Sequence, residues 1–318
     1  MILLRPSLVS MAVALLAWPP AGQQPVFHAG AQTVSVYASV LDRDGRLVPG
    51  LTRQDFEVLD DGKPAEITTF SNDVLPMTAV LLLDMSYSMA GEQTRVRDAA
   101  LQFVDVLLPT DRVRIGTFGD EVSLSPWLTN DKKILERVLR EEVWPGGRTP
   151  LWSAVREAFK SIEREPGRRV VLTLSDGVDT GCPRIVAPAP LPGPAPVMRV
   201  QSTLFVPFDV EDLCASFAEV EKTAMAGEFL AYAIGMEGPG LTFGLERLAD
   251  ETGGGHFELK RNQDLATTLS RVADELHHQY ALGFTPVALD GRTHQLTVRL
   301  KKPALTARAR KSYVAADR

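Results

Sequence analysis

Ala79-Val80-Leu81-Leu82-Leu83-Asp84-Met85-Ser86-Tyr87-Ser88 is a continuous apolar run closed by an acid and two serines. Apolar runs of this length fit strands covered on both faces, as in a parallel sheet. Two further runs repeat the pattern. Val170-Val171-Leu172-Thr173-Leu174 ends at Ser175-Asp176, and Phe229-Leu230-Ala231-Tyr232-Ala233-Ile234 ends at Gly235. Val113 to Phe118 reads as a fourth strand, turning at Gly119-Asp120 into Val122-Ser123-Leu124-Ser125. Between these runs apolar residues recur at helical spacing: Val96, Ala99, Ala100, Phe103 and Leu107; Leu151, Val155, Ala158, Phe159 and Ile162; Leu213, Phe217, Val220 and Ala224; Leu265, Leu269, Val272 and Leu276. Buried strands alternating with amphipathic helices predict an α/β domain with a doubly wound, mostly parallel sheet over residues 76–278.

Outward from that domain the period changes to 2. Val34, Val36, Ala38 and Val40 share one face of a strand, and Asp42-Arg43-Asp44-Gly45 is a turn. Phe56-Glu57-Val58-Leu59 meets Asp60-Asp61-Gly62-Lys63, a hairpin signal that Glu66 to Phe70 continues. Beyond residue 279, Tyr280 to Phe284, His294 to Leu300 and Leu305 to Val314 are again strand-like. Neither group has enough strands to stand alone in water. The simplest remedy is one small β-sandwich built from segments 23–75 and 279–318, with the α/β domain inserted between them. Two separate sheets packed on that domain are the alternative.

The chain has 318 residues, 45% hydrophobic and 23% charged, which suits a globular protein of about two domains. Its net charge of −6 gives no footprint for nucleic acid or an anionic membrane. Residues 1–22 read as a secretory signal peptide: Arg5, a short apolar stretch from Leu8 to Trp18, then Pro19-Pro20-Ala21-Gly22. That stretch is shorter than the roughly 20 residues a spanning helix needs. The expectation is an exported protein, secreted or held in the periplasm or cell envelope, with no transmembrane helix in its mature form. Cys182 and Cys214, flanking the Pro-rich stretch from Val186 to Val197, are candidates for a disulfide. Two free thiols are the alternative.

Three segments carry the chemistry. Asp84-Met85-Ser86-Tyr87-Ser88 follows one apolar strand and Ser175-Asp176-Gly177 follows another, while Gly146-Gly147-Arg148-Thr149-Pro150 precedes a helix. Loops at the carboxyl ends of parallel strands converge on one crevice. Asp84, Ser86, Ser88, Thr149 and Asp176 offer only hard oxygens, the donors that Mg²⁺ takes; Mn²⁺ and Ca²⁺ accept them too. An open position on such an ion accepts a carboxylate from a partner's Asp or Glu. Asp84, Ser86 and Ser88 as a helix N-cap, with Asp176 in an ordinary turn, is the plainer alternative.

The ordered set Asp84-Met85-Ser86-Tyr87-Ser88, Thr149 and Asp176-Gly177 resembles the metal-ion-dependent adhesion site of von Willebrand factor type A domains. The resemblance spans the α/β segment. It implies a doubly wound sheet with a divalent ion at its top, held by Ser86, Ser88 and Thr149 and, directly or through water, by Asp84 and Asp176. The flanks, Asp55 to Lys63 and Tyr280 to Pro286, resemble those of bacterial exported proteins that carry this domain. Bulky Tyr87 and Arg148 inside the site loops depart from the pattern. They become candidates for a partner-binding rim, Arg148 as a second anchor for a carboxylate.

A non-enzymatic binding or adhesion module is the function this set favours. A metal-assisted hydrolase needs a base, and none of the five histidines falls in the three segments. A structural envelope protein with a purely stabilising metal is the remaining class.

Overall fold

The computed structural model describes residues 33–141, 143, 146–181, 206–207, 215–236, 243–259 and 264–315. In chain order the elements are β1 (Val34–Leu41), β2 (Phe56–Asp60), β3 (Lys63–Ala65), β4 (Ile67–Ser71), β5 (Thr78–Asp84), α1 (Gln93–Val106), β6 (Arg112–Phe118), β7 (Val122–Leu124), α2 (Lys132–Glu141), α3 (Leu151–Ile162), β8 (Arg169–Ser175), β9 (Val206–Pro207), α4 (Phe217–Ala226), β10 (Leu230–Gly235), α5 (Phe243–Thr252), β11 (His256–Glu258), α6 (Leu265–His277), β12 (Tyr280–Phe284), β13 (Thr293–Leu300), β14 (Thr306–Ala309) and β15 (Ser312–Val314).

All seven residues of β5 are buried because β5 lies at the centre of a seven-stranded sheet, order β11-β10-β8-β5-β6-β7-β9. The pairs β5–β6, β5–β8, β8–β10 and β10–β11 are parallel. The hairpin strand β7 is antiparallel to β6 and to β9. Alternation along β5 divides the core. Ala79, Leu81 and Leu83 pack with apolar residues of α1, α2 and α6. Val80 and Leu82 pack with α3, α4 and α5 on the opposite face. Each buried leucine or valine contributes about 1.5–3 kcal/mol relative to exposure. The sheet is thus covered on both faces, as the unbroken apolar runs require.

The chain ends form two four-stranded antiparallel sheets, ordered β14-β1-β12-β4 and β15-β13-β2-β3. Each sheet draws strands from both ends: Val36 pairs with Leu282, and Val58 with Val298. Their facing sides share one core that includes Val36, Ala38, Phe56, Val58, Leu282, Phe284 and Tyr313. One expectation fails here. The segment after the β2–β3 hairpin does not extend that hairpin. Strand β4 instead pairs with β12 in the other sheet, where Phe70 meets Phe56 across the core and Tyr280 within its own sheet. Local sequence specifies the turn at Asp61-Gly62, whereas β4 finds its partner in β12, more than two hundred residues away, and lines the same core from the opposite sheet.

The sandwich joins the α/β body at the amino ends of the parallel strands. Glu275 of α6 is buried and accepts the hydroxyls of Ser39 in β1 (2.8 Å) and Tyr232 in β10 (2.6 Å), and a charged bond from Arg308 of β14. Gln279 donates to both hydroxyls, at 3.1 and 3.2 Å. Arg168, just before β8, donates to Gln279 Oε1, to Leu75 O and to Leu276 O. The chain at Gly253 has φ +79°, and a Cβ there would collide with the backbone of Ala309 and Arg310. Glycine is therefore required where the α/β body touches β14. Among the described residues no helix is long and apolar enough to cross a membrane. The signal-peptide stretch 1–22 lies outside the described residues.

Candidate functional site

Asp84 is the last residue of β5 and is buried. Its Oδ1 accepts the Ser86 N–H at 3.0 Å, and its Oδ2 accepts the Ser175 hydroxyl at 2.5 Å. Ser175 ends β8, the neighbouring parallel strand, and its Oγ accepts the Gly177 N–H at 3.0 Å. The two strand ends are therefore tied through one carboxylate. The sequence reading placed Ser175 in the Ser175-Asp176-Gly177 segment but gave it no role; the bond to Asp84 assigns one.

The helix-cap alternative for Ser86 and Ser88 does not hold. Ser86 precedes a short 3₁₀ turn, Tyr87–Met89, but its side chain makes no capping hydrogen bond, and α1 starts only at Gln93. Its Oγ lies 3.0 Å from Ser88 Oγ instead. Two hydroxyls facing each other beside a buried acid are free of the duty that would otherwise explain them.

The second loop is drawn in by backbone bonds. Gly146 N–H donates to Met85 O at 2.9 Å, Tyr87 N–H to Gly147 O at 3.1 Å, and Asp120 N–H to Gly146 O at 3.1 Å. This approach requires glycine twice. A Cβ on Gly119 would overlap Gly146 O, and one on Gly147, where φ is +85°, would overlap the Asp120 carboxylate. Thr149 is buried in this loop. Its N–H donates to Thr180 Oγ1 at 2.7 Å and its carbonyl accepts the Thr180 N–H at 3.0 Å. Loop two is thereby fixed to the loop after β8. In that third loop Asp176 is buried, with Oδ1 accepting the Val178 N–H at 3.1 Å. Asp179 accepts the Leu151 N–H at 3.1 Å and so serves the first turn of α3.

Burial pushes the Asp84 carboxyl up to about 6; the bonds from Ser175 and Ser86 hold it down, and the charge of Asp176 pushes it up again. Two acids have been gathered, and the charge of Asp176 disfavours ionisation of Asp84. The oxygen-only donors of Asp84, Ser86, Ser88, Thr149 and Asp176 fit a hard divalent cation, whose charge relieves that repulsion. Asp84, Ser86 and Ser88 contact one another directly or through backbone, Asp176 is electrostatically coupled to Asp84, and Thr149 is brought in by the backbone bonds of its loop. Ser88 and Arg148 are exposed, and Tyr87 is 72% exposed, so these three line the outer edge. Cys182 and Cys214 lie outside the described residues, as does the Pro-rich stretch 186–197.

Residues 79–178 match the family model of the von Willebrand factor type A domain. The matched stretch contains all five oxygen-bearing residues. Among solved structures, the chain is similar to a von Willebrand factor type A protein from Catenulispora acidiphila, at 12% identity and TM-score 0.47, covering 91% of this chain and 76% of that one. It is also similar to the vWF domain of the type V pili tip protein Mfa5 from Porphyromonas gingivalis, at 13% identity and TM-score 0.45, covering 63% and 95%. A third is the conserved hypothetical protein BatB from Bacteroides thetaiotaomicron, at 14% identity and TM-score 0.43, covering 64% and 98%. No curated protein matches the chain in sequence.

Proposed function

We propose that this chain, which carries a von Willebrand factor type A domain, is an exported binding module that takes an acidic side chain of a partner protein through a divalent cation. Asp84, Ser86, Ser88, Thr149 and Asp176 would hold the ion, Mg²⁺ by preference, with Mn²⁺ or Ca²⁺ able to replace it. The bound cation supplies an electrophilic point for a partner's Asp or Glu carboxylate. This chain's residues do the rest. Ser175 and the Ser86 N–H hold the Asp84 carboxylate in place, and Gly119 and Gly147 allow the second loop to close against the first. The observation that carries the reading is the Ser86–Ser88 hydroxyl pair beside buried Asp84, since neither hydroxyl caps a helix. Tyr87 and Arg148 form the surrounding rim, Arg148 offering a guanidinium to the incoming carboxylate. No histidine lies in the loops, which supports a binding role over hydrolysis.

The experiment immobilises the chain and passes the exported proteins of the producing organism over it. Partners retained in Mg²⁺ should elute with chelator and should not be retained by an Asp84→Ala chain whose circular dichroism is unchanged. Retention independent of Mg²⁺ and of Asp84 would refute the proposal.

A further inference from the structure

A second cluster of potential ligands lies in the β-sandwich, apart from the strand-end loops. Asp60 ends β2, Asp61 opens the β2–β3 turn, and His294 sits beside them on β13. His294 Nδ1 is 3.3 Å from Asp60 Oδ1 and 2.9 Å from Asp61 Oδ2. Neither His294 Nδ1 nor Asp60 Oδ1 makes a hydrogen bond, although Asp60 is only 1% exposed and His294 7%. Buried polar atoms without partners are uncommon and call for a cause.

The surrounding bonds aim these bare atoms at one point. Asp60 Oδ2 accepts the Tyr313 hydroxyl (3.0 Å) and the Val287 N–H (3.1 Å), which leaves Oδ1 facing His294. Asp61 Oδ1 accepts the Gln295 N–H at 2.9 Å, which leaves Oδ2 facing the same way. On the far side of the ring, His294 Nε2 lies 3.1 Å from Asp290 Oδ1 in hydrogen-bonding geometry. A proton on Nε2 satisfies that bond and leaves a lone pair on Nδ1, pointed between two carboxylate oxygens. Three electron-rich atoms then converge with nothing between them, which is repulsive unless a cation occupies the gap. Stacking on Tyr313, at 5.3 Å between ring centres, fixes the imidazole plane.

We propose that Asp60, Asp61 and His294 form a second divalent-metal site, one for a borderline ion such as Zn²⁺. One imidazole nitrogen and two carboxylate oxygens are a donor set Zn²⁺ accepts. Bonds of about 2.0–2.2 Å place neighbouring ligand atoms roughly 3.3–3.6 Å apart; the Asp60 separation of 3.3 Å matches, and the Asp61 separation of 2.9 Å has to open by a few tenths of an ångström to admit the ion. Asp290 behind the imidazole, and Tyr313 behind Asp60, are the outer partners that orient metal ligands. The ion staples the β2–β3 turn to β13 and sets the sandwich independently of the loops around Asp84.

A proton on Nδ1 is the competing occupant, and calorimetry decides between them. Chelator-stripped full-length Asp84→Ala protein, which lacks the first site's acid, is titrated with Zn²⁺. One Zn²⁺ per chain should bind in a component that disappears on adding His294→Gln. Asp61→Asn, at an exposed turn residue whose φ of +47° asparagine tolerates, should also remove it without unfolding the chain. Asp290→Asn should weaken it about 10–100-fold. Absence of Zn²⁺ binding to the folded Asp84→Ala chain would overturn the proposal. So would a component that persists unchanged in folded Asp61→Asn protein. Neither result bears on Mg²⁺ at Asp84, which is read separately in otherwise unaltered protein.

Discussion

Asp84→Asn should make the metal-free protein more stable while removing its response to Mg²⁺. Burial lifts the Asp84 carboxyl from its ordinary 3.8 to about 6. The folded chain therefore holds that proton more tightly than the unfolded chain does. Such a group costs nothing below pH 3.8, and its cost grows until the pH passes 6. At about 1.4 kcal/mol per pH unit, ionised Asp84 costs the metal-free fold about 3 kcal/mol near neutral pH. Asparagine keeps the shape and an oxygen for the Ser86 N–H. Its amide can donate to Ser175 Oγ, which now has to accept rather than donate. Part of the gain is lost in that exchange, so the net stabilisation should be about 1–3 kcal/mol. In chelator the variant should melt several degrees above the wild type, at about 2–4 °C per kcal/mol. The gap should close as the pH is lowered toward 4. Mg²⁺ at a hundred times its dissociation constant should then raise the wild type alone, by about 2.7 kcal/mol. The assay is thermal unfolding by circular dichroism in four conditions, with and without Mg²⁺, near pH 7.5 and near pH 4.5. An Asn variant less stable than wild type in chelator would refute the stored-charge account, and an equal Mg²⁺ shift in both proteins would place the ion elsewhere.

Other outcomes follow from the same contacts. Gly147→Ala puts a Cβ into the Asp120 carboxylate at positive φ; the loop should be displaced and the Mg²⁺-dependent rise in melting temperature reduced, as read by the same unfolding assay. Glu275→Ala removes an acid bonded to Ser39, Tyr232 and Arg308 at the junction of sandwich and α/β body; urea unfolding should show a loss of about 3–5 kcal/mol. Tyr87→Ala and Arg148→Ala alter exposed side chains and should change stability by less than about 0.5 kcal/mol, yet surface plasmon resonance should show weaker partner binding wherever retention depends on Mg²⁺.

How much of this was legible depended on whether a signal was local. Strand β5 was readable because all its residues are buried, so burial and hydropathy coincide along it. Helices α1 and α3 were readable because their buried residues recur over three or four turns. Helix α2 went unread: Leu135, Val138 and Leu139 are its buried set, and six charged residues of its ten dilute the pattern. Helix α5 hides because its buried set, Leu245, Leu248, Ala249 and Thr252, includes only two large apolar residues. The pairing of β4 with β12 was beyond local reading, since their partners are more than two hundred residues apart. At the site, Asp84, Ser86 and Ser88 share one loop and announced themselves by spacing. Ser175 and Asp120 did not, because each acts through a contact that exists only once separate loops have met. The bare faces of Asp60 and His294 are likewise invisible in sequence, where the two lie 234 positions apart and Asp60-Asp61 reads simply as a turn.

The placement of the sandwich bears on what the strand-end loops can reach. Its bonds to the α/β body involve Arg168 and Leu75, just ahead of β8 and β5, Glu275 and Gln279 around the end of α6, and Tyr232 in β10. Arg168 and Leu75 belong to the amino ends of the central strands. Asp84, Ser175 and their loops lie at the carboxyl ends. Seven residues of β5 separate the two levels, about 20 Å at roughly 3.3 Å per residue. Each crossover between parallel strands returns the chain to their amino ends before the next strand begins. Here the chain enters at β5 and leaves after α6 on that side, where Arg168, Leu75 and Gln279 tie it to the sandwich. A partner approaching Ser88, Tyr87 and Arg148 meets loops that the sandwich does not cover. The buried Glu275 network fixes the direction in which those loops face relative to the rest of the chain, so loosening it should alter how the module is presented without changing a single oxygen around Asp84.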